Sequence, residues 1–198
     1  MNEEQSWKRP AAPIEAEFAM PDFRRPVFPD RTEDIRDHGA VEGGEALCTE
    51  AFASAIAACA ANGGGRVAVP DGVWLTGPIE LKSNIELLLA DNAEVRFSDR
   101  FELYLPAVEQ YRQALYRSYS PLIRARDCEN IAISGAGLLN GQGGAWQRMH
   151  WRHGGGEVQA SARCDKDAHE NVPPEQRVYD REDFGFRPVF IQPFNCRN

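Results

Sequence analysis

A chain of 198 residues with 42% hydrophobic and 26% charged side chains has the balance of one globular domain with a buried core. Its formal net charge of -8 argues against broad polyanion binding, which needs a clustered cationic face, so no nucleic-acid partner is expected. No segment approaches the roughly 18 consecutive apolar residues of a membrane helix, so no membrane partner is expected either.

Met1 to Pro10 is polar and charged, with no apolar stretch behind it, so no secretory signal is expected. Five cysteines at spacings that fit no zinc finger and no Cys-x-x-Cys motif read as free thiols in a reducing compartment. A cytoplasmic protein follows, with an extracellular one as the alternative if the start codon is misassigned.

Residues 1–34 carry Pro10, Pro13, Pro21, Pro26 and Pro29, with Phe18, Met20, Phe23 and Phe28 among them. Proline at this density blocks both helix and central strand, so an extended arm that packs a few aromatics on the domain is expected. A disordered linker is the alternative. The domain proper is expected over 35–198. Asp34-Ile35-Arg36-Asp37 reads as a short strand and Gly43-Gly44 as a turn. Thr49 is placed to cap a helix running to Ala61, stopped by Asn62-Gly63. Phe52, Ile56 and Cys59 give that helix one apolar stripe.

After Gly63-Gly64-Gly65 the apolar period changes from 3.6 to 2. Val67 and Val69, Val73 and Leu75, Ile79 and Leu81, Ile85 to Leu89, then Val95 and Phe97 read as the core faces of short strands. Antiparallel hairpins would give such strands too. What favours a parallel stack is a repeated phrase: Ser83-Asn84-Ile85-Glu86-Leu87, then Cys128-Glu129-Asn130-Ile131-Ala132-Ile133, then Asn195-Cys196-Arg197-Asn198. Such units cannot bury an apolar face alone and stack as a solenoid. Asn84, Asn130 and Asn198 then fall at one corner of successive coils. Asparagine suits that corner because it tolerates left-handed backbone and its amide can bond to its neighbour one coil away. Cys128 and Cys196 are expected to stack about one strand spacing apart, ~4.8 Å. The third phrase breaks off before its strand, so a truncated last coil with open edges, prone to aggregate, is expected.

Two insertions interrupt the rhythm, at about 98–120 with its tyrosines and at about 141–187 with Trp146, Trp151 and three histidines. Loops of repeat proteins often collect on a binding side. Trp146 and Trp151 are candidate platforms for sugar rings, and Arg148 and Arg152 candidate partners for a sugar carboxylate, which arginine holds in bidentate fashion. A loop anchor and a solvated loop face are the plainer uses of the same residues. The ligand types from His150 to His169 match no named metal motif, so neither metal nor cofactor is expected. The glycines of 135–144 lack the pattern of a phosphate loop and read as coil turns. No pair of acids is placed as a glycosidase dyad.

Gly63 to Gly72, Thr76-Gly77-Pro78-Ile79-Glu80-Leu81-Lys82-Ser83-Asn84-Ile85-Glu86-Leu87, Tyr119-Ser120-Pro121-Leu122-Ile123, Asn130 to Gly135 and Leu139-Asn140-Gly141-Gln142-Gly143 with Trp146 together resemble the N-terminal part of the polygalacturonases, glycoside hydrolase family 28. The resemblance implies an all-β fold, a right-handed parallel β-helix of the pectin lyase-like kind with an N-terminal capping α-helix. It also implies inverting hydrolysis of α-1,4-galacturonan in pectin without a metal, by a protein that is a monomer when full length. The family's motifs Asn-Thr-Asp, Asp-Asp, Gly-His-Gly and Arg-Ile-Lys do not occur in these 198 residues. No catalytic residue is therefore carried over, and this chain alone is expected to be inactive. Two alternatives stand beside this reading. One is a non-catalytic β-helix module that binds polysaccharide, of the adhesin or tailspike kind; the other is a calcium-dependent lyase, for which the clustered aspartates are not found.

Overall fold

The computed structural model describes residues 18, 26–104, 107–111, 114–149 and 156–197. Phe18 is exposed, and the remainder of the expected arm up to residue 25 lies outside the described residues. The first strand, β1 (Thr32–Asp34), falls at the end of that arm. The sequence suggested a strand over 34–37, but the Asp34 carboxylate accepts the Arg36 N–H at 2.9 Å and turns the chain into a 3-10 helix over Ile35–His38. This local bond competes with extension and wins, and it swings Ile35 fully into the core.

The expected helix forms as α1 (Thr49–Ala61). Its stop is a Schellman arrangement: Gly63 has φ 88°, the Gly63 N–H bonds to the Ala60 carbonyl and the Gly64 N–H to that of Cys59. Its start differs from expectation. Cys48 holds the N-cap position and no side chain caps the helix; the Thr49 hydroxyl instead accepts the Gly77 N–H at 2.6 Å. A bond that fastens the helix to a distant turn replaces a bond within it.

The strands that follow are β2 (Gly65–Val69), β3 (Gly72–Thr76), β4 (Ile79–Leu81), β5 (Ile85–Leu89) and β6 (Ala93–Phe97). A hairpin of β7 (Ala107–Tyr111) and β8 (Ala114–Ser118) comes next, then β9 (Ile123–Arg126), β10 (Ala132–Gly135) and β11 (Leu138–Asn140). The short helix α2 (Gly143–Trp146), the helix α3 (Glu157–His169), and a hairpin of β12 (Asp180–Arg181) and β13 (Phe184–Gly185) precede β14 (Ile191–Phe194). Three sheets, ordered β1-β2-β5-β10, β3-β6-β11 and β4-β9-β14, are parallel throughout. The chain visits each sheet once per turn, as β2-β3-β4, then β5-β6-β9, then β10-β11-β14. This is a parallel β-helix. α1 lies against β1, β2, β4 and β5.

Alternation fills the interior of the coils. Val67, Val69, Ile79, Ile85, Leu87, Val95, Phe97 and Ile123 are all at most 1% exposed, each worth about 1.5–3 kcal/mol for its buried side chain. β3 runs in the opposite phase to the one the sequence suggests. Trp74 and Thr76 point inward while Val73 and Leu75 are only half-buried. The register sets Trp74 beside Val95 and Thr76 beside Phe97, and the indole N–H donates to the Pro70 carbonyl at 2.8 Å. Burying the larger indole with its one donor satisfied outweighs burying two aliphatic side chains.

The corner between the first and third sheets behaves as its asparagines predict. Asn84 and Asn130 have φ 63° and 54°, and the Asn130 amide donates to the Asn84 amide oxygen at 3.1 Å. Asn198 lies outside the described residues. A second left-handed column, Asp127 and Asn195, is joined by an Asn195-to-Asp127 hydrogen bond. Gly135, at φ 95°, turns the chain after β10, where a side chain would run into the Leu89 carbonyl.

Both insertions leave the stack at the same corner, after β6 and after β11, and they pack on each other. Ala114 and Tyr116 of the first join Ala160, Cys164, Tyr179 and Phe186 of the second in a separate small core. A network around the buried Asp167 and Arg177 holds this lobe: the Tyr179 hydroxyl donates to Asp167 at 2.9 Å, the exposed Arg163 pairs with the same carboxylate at 2.6 Å, and the Arg177 guanidinium donates to the Val172 and Leu115 carbonyls.

Candidate functional site

Of the four residues nominated from sequence, Trp146 is well placed in the structure and is covered. It is 5% exposed, stacks on Phe101 with centroids 4.2 Å apart and planes 11° from parallel, and meets Tyr104 and Tyr119 edge-on. Its indole N–H donates to the Gly141 carbonyl. In this arrangement the ring anchors the second insertion to the first, and neither face of the Trp146 ring stands open to a sugar. Arg148 sits in the 3-10 turn Gln147–Met149, and its side chain lies outside the described residues, as do Trp151 and Arg152. Among the described residues no group of three or more His, Cys, Asp or Glu side chains could hold a metal ion. Cys164 is buried in α3, while His169 is exposed at its end.

The structure assembles a different constellation, on the outward face of the β4-β9-β14 sheet. Because side chains alternate and the register is fixed, Glu80, Arg124 and Gln192 form one row across the three strands. Arg126 and Phe194 form the next. Arg124 pairs with Glu80 at 2.6 Å. The Arg126 guanidinium stands 5.1 Å from the centre of the Phe194 ring, a cation–π distance, and Phe194 is 45% exposed.

The hairpin β7-β8 leans on this face. Arg126 donates to the Val108 carbonyl, and the neighbouring Glu109 turns inward to 6% exposure. Its Oε2 accepts from the Gln192 amide at 2.8 Å, while Oε1 has no hydrogen-bond partner among the described residues. Burial raises the Glu109 carboxyl above its usual range, opposed by the Gln192 hydrogen bond and by the charges of Arg126 and Arg124. The result is two guanidiniums, an exposed aromatic ring, a carboxamide and a half-satisfied buried carboxyl on one surface. Chemically this face can hold a carboxylate by charge-assisted hydrogen bonds and a sugar by its hydroxyls and ring.

None of these five residues stands out in the sequence. Glu109 reads as one more charge in a polar insertion, and Arg124 and Arg126 as the solvated side of an amphipathic strand. The alternation Ile-Arg-Ala-Arg does say that the two arginines share one face. Their neighbours across the coil are visible only once the 44-residue step from Glu80 to Arg124 and the 68-residue step from Asp127 to Asn195 are known.

No protein-family model matches the chain. A curated protein from Vitis vinifera named Probable polygalacturonase is 34% identical over 124 residues, which cover 58% of this chain and 25% of that protein. An exo-poly-alpha-D-galacturonosidase from Dickeya chrysanthemi is 34% identical over 123 residues, 58% of this chain and 20% of that protein. The match thus spans about a quarter or less of the length of these curated relatives. Among solved structures, a hyperthermoactive exopolygalacturonase from Thermotoga maritima superimposes with a TM-score of 0.79 at 37% identity, covering 88% of this chain and 41% of that one. In sequence and in coil structure alike, the chain resembles a part of the polygalacturonase family, glycoside hydrolases built on a parallel β-helix.

Proposed function

We propose that this chain is the N-terminal part of a polygalacturonase-like glycoside hydrolase that acts on the α-1,4-galacturonan of pectin by inverting acid–base hydrolysis. In this reading the coils wind right-handed, α1 caps the first of them, and the stack continues past the last coil described. The reading is supported by the likeness to the polygalacturonases and by the outward face of the β4-β9-β14 sheet. That face is the single structural observation that carries it, because a galacturonate unit offers the carboxylate, hydroxyls and ring that Arg124, Arg126, Gln192 and Phe194 would meet.

In this chain those residues would bind and orient substrate. The protonation of the leaving oxygen and the activation of water need two carboxyl groups at a fixed separation across the bond, and the two acidic motifs of the family, Asn-Thr-Asp and Asp-Asp, do not occur in these 198 residues. Reading the coding sequence past codon 198 tests this: Asn-Thr-Asp, Asp-Asp, Gly-His-Gly and Arg-Ile-Lys in the codons that follow support the hydrolase, and a stop codon there overturns it. That stop codon would favour a second reading, a polysaccharide-binding β-helix without chemistry.

Titration of the chain with tri-galacturonate by calorimetry tests the face itself. Saturable binding is expected, weakened at least ~10-fold by Arg124→Ala, since a hydrogen bond to a charged group contributes about 1.5–3 kcal/mol. Equal binding by the variant would remove this face from the reading.

A further inference from the structure

His38 closes the 3-10 turn that follows β1, and its ring is held from both sides. One ring nitrogen, Nε2, lies 3.3 Å from the Glu33 carboxylate on β1. The other, Nδ1, lies 3.1 Å from the Ser54 hydroxyl on α1. An ionised carboxylate only accepts, so in the neutral ring Nε2 carries the hydrogen and Nδ1 keeps its lone pair. The Ser54 O–H donates to that lone pair. Glu33 thus sets the tautomer of the ring, and the ring sets the direction of the hydroxyl. Carboxylate, imidazole and hydroxyl stand in one hydrogen-bonded line, the arrangement by which a base activates a serine.

Cover increases away from the nucleophile. Ser54 is exposed, while the His38 and Glu33 side chains are 15% and 24% exposed. α1 buries Ala51, Phe52, Ala55 and Ile56, and this packing fixes the rotation of the helix that brings Ser54 to His38. β1 stands at the opposite end of its sheet from β10, so a coil added beyond β10 and β14 would leave all three residues as they are. The backbone amides around Ser54 are spent on the ladder of α1 itself and supply no oxyanion hole. Such a serine suits a donor activated enough to react without one.

We propose that Ser54 is a modification site, a serine that accepts the acyl group of a small activated ester, with His38 as its general base and Glu33 as the positioning residue behind that base. With an aryl acetate, the Ser54 Oγ bonds to the acyl carbon while its proton passes to His38 Nδ1. The tetrahedral adduct then breaks its bond to the aryl oxygen, and the phenolate leaves with the electron pair. The imidazolium gives its proton to water, and an acetyl ester stays on Ser54. Glu33 stabilises the imidazolium while it lasts.

The test treats the folded 198-residue chain with p-nitrophenyl acetate and follows acetyl on each peptide by mass. Ser54 is expected to be acetylated faster than any other serine, and to lose that lead in urea. His38→Gly is expected to slow it by roughly 10² or more, and added imidazole to restore part of the rate. Glu33→Ala is expected to slow it less, with partial recovery in formate, a recovery that a merely structural Glu33 would not show. A wild-type chain in which Ser54 reacts no faster than the other serines would overturn the proposal, whatever the variants do. So would a His38→Gly variant that is acetylated at Ser54 at the wild-type rate.

Discussion

The coil stack and the lobe built by the two insertions are both held by buried side chains, yet they are organised on opposite principles. In the coils the core is a set of columns, Val67 beside Leu87 and Trp74 beside Val95, each residue repeating the environment of the one before. The polar atoms there are mostly backbone, and the ladders satisfy them. In the lobe nothing repeats. Six buried residues from two distant segments form a small core, and its specificity rests on one carboxylate, Asp167, shared by Tyr179 and Arg163. A repeated core can lose one column and keep its neighbours, whereas a small core tied by a single buried anion depends on that anion.

Three substitutions probe this difference, from the largest expected effect to the smallest. Trp74→Ala empties the largest fully buried side chain of the stack and is expected to cost about 3–5 kcal/mol of global stability, read from urea melts. If instead it loosened only the lobe, the stack would not be the stability core. Asp167→Ala strands the Tyr179 hydroxyl in the lobe and is expected to cost about 1–3 kcal/mol. Amide exchange should quicken across α3 and leave β2 and β5 protected; equal acceleration in both would join the two regions into one cooperative unit.

The third is Glu109→Gln, at the contact between lobe and coils, with an effect of about 1 kcal/mol that depends on pH. The folded-state pKa of Glu109 is raised, so its contribution is complete below the unfolded value of about 4.3 and is lost as pH rises through the folded value. The glutamine variant stays neutral throughout. It should match the wild type in acid and become the more stable of the two toward neutral pH. Parallel stability curves across that range would show that Glu109 is solvated after all.

Much of the stack is legible in the sequence because its determinants are local. Alternation places Ile85, Leu87 and Leu89 inside, and asparagine's tolerance of left-handed backbone places Asn84 and Asn130 at a corner. Where the reading fails, a long-range contact has overruled a local preference. Val73 and Leu75 are the aliphatic pair that alternation would place inside, but the indole of Trp74 and its bond to Pro70 set the phase. Thr49 has the right residue type for a cap, but the Gly77 amide takes its hydroxyl. The outward face with Glu109 is harder still, because its members come from strands and a hairpin scattered between residues 80 and 194, and Glu109 turns inward only once the hairpin has docked. Trp146 leaves two uses open in the sequence, a sugar platform and a loop anchor, and the rings of Phe101, Tyr104 and Tyr119 pack around it as an anchor requires.

Both insertions depart from the same corner, and the step between paired residues grows from 20 to 44 to 68 while the parallel register of the strands stays intact. Closing a longer loop becomes only slowly more costly, by about 0.6 kcal/mol for each doubling in length. That corner is therefore a graft point. Segments of widely different size can be exchanged there, in a laboratory as over generations, to reshape whatever leans over the β4-β9-β14 face without disturbing the spring of coils beneath it.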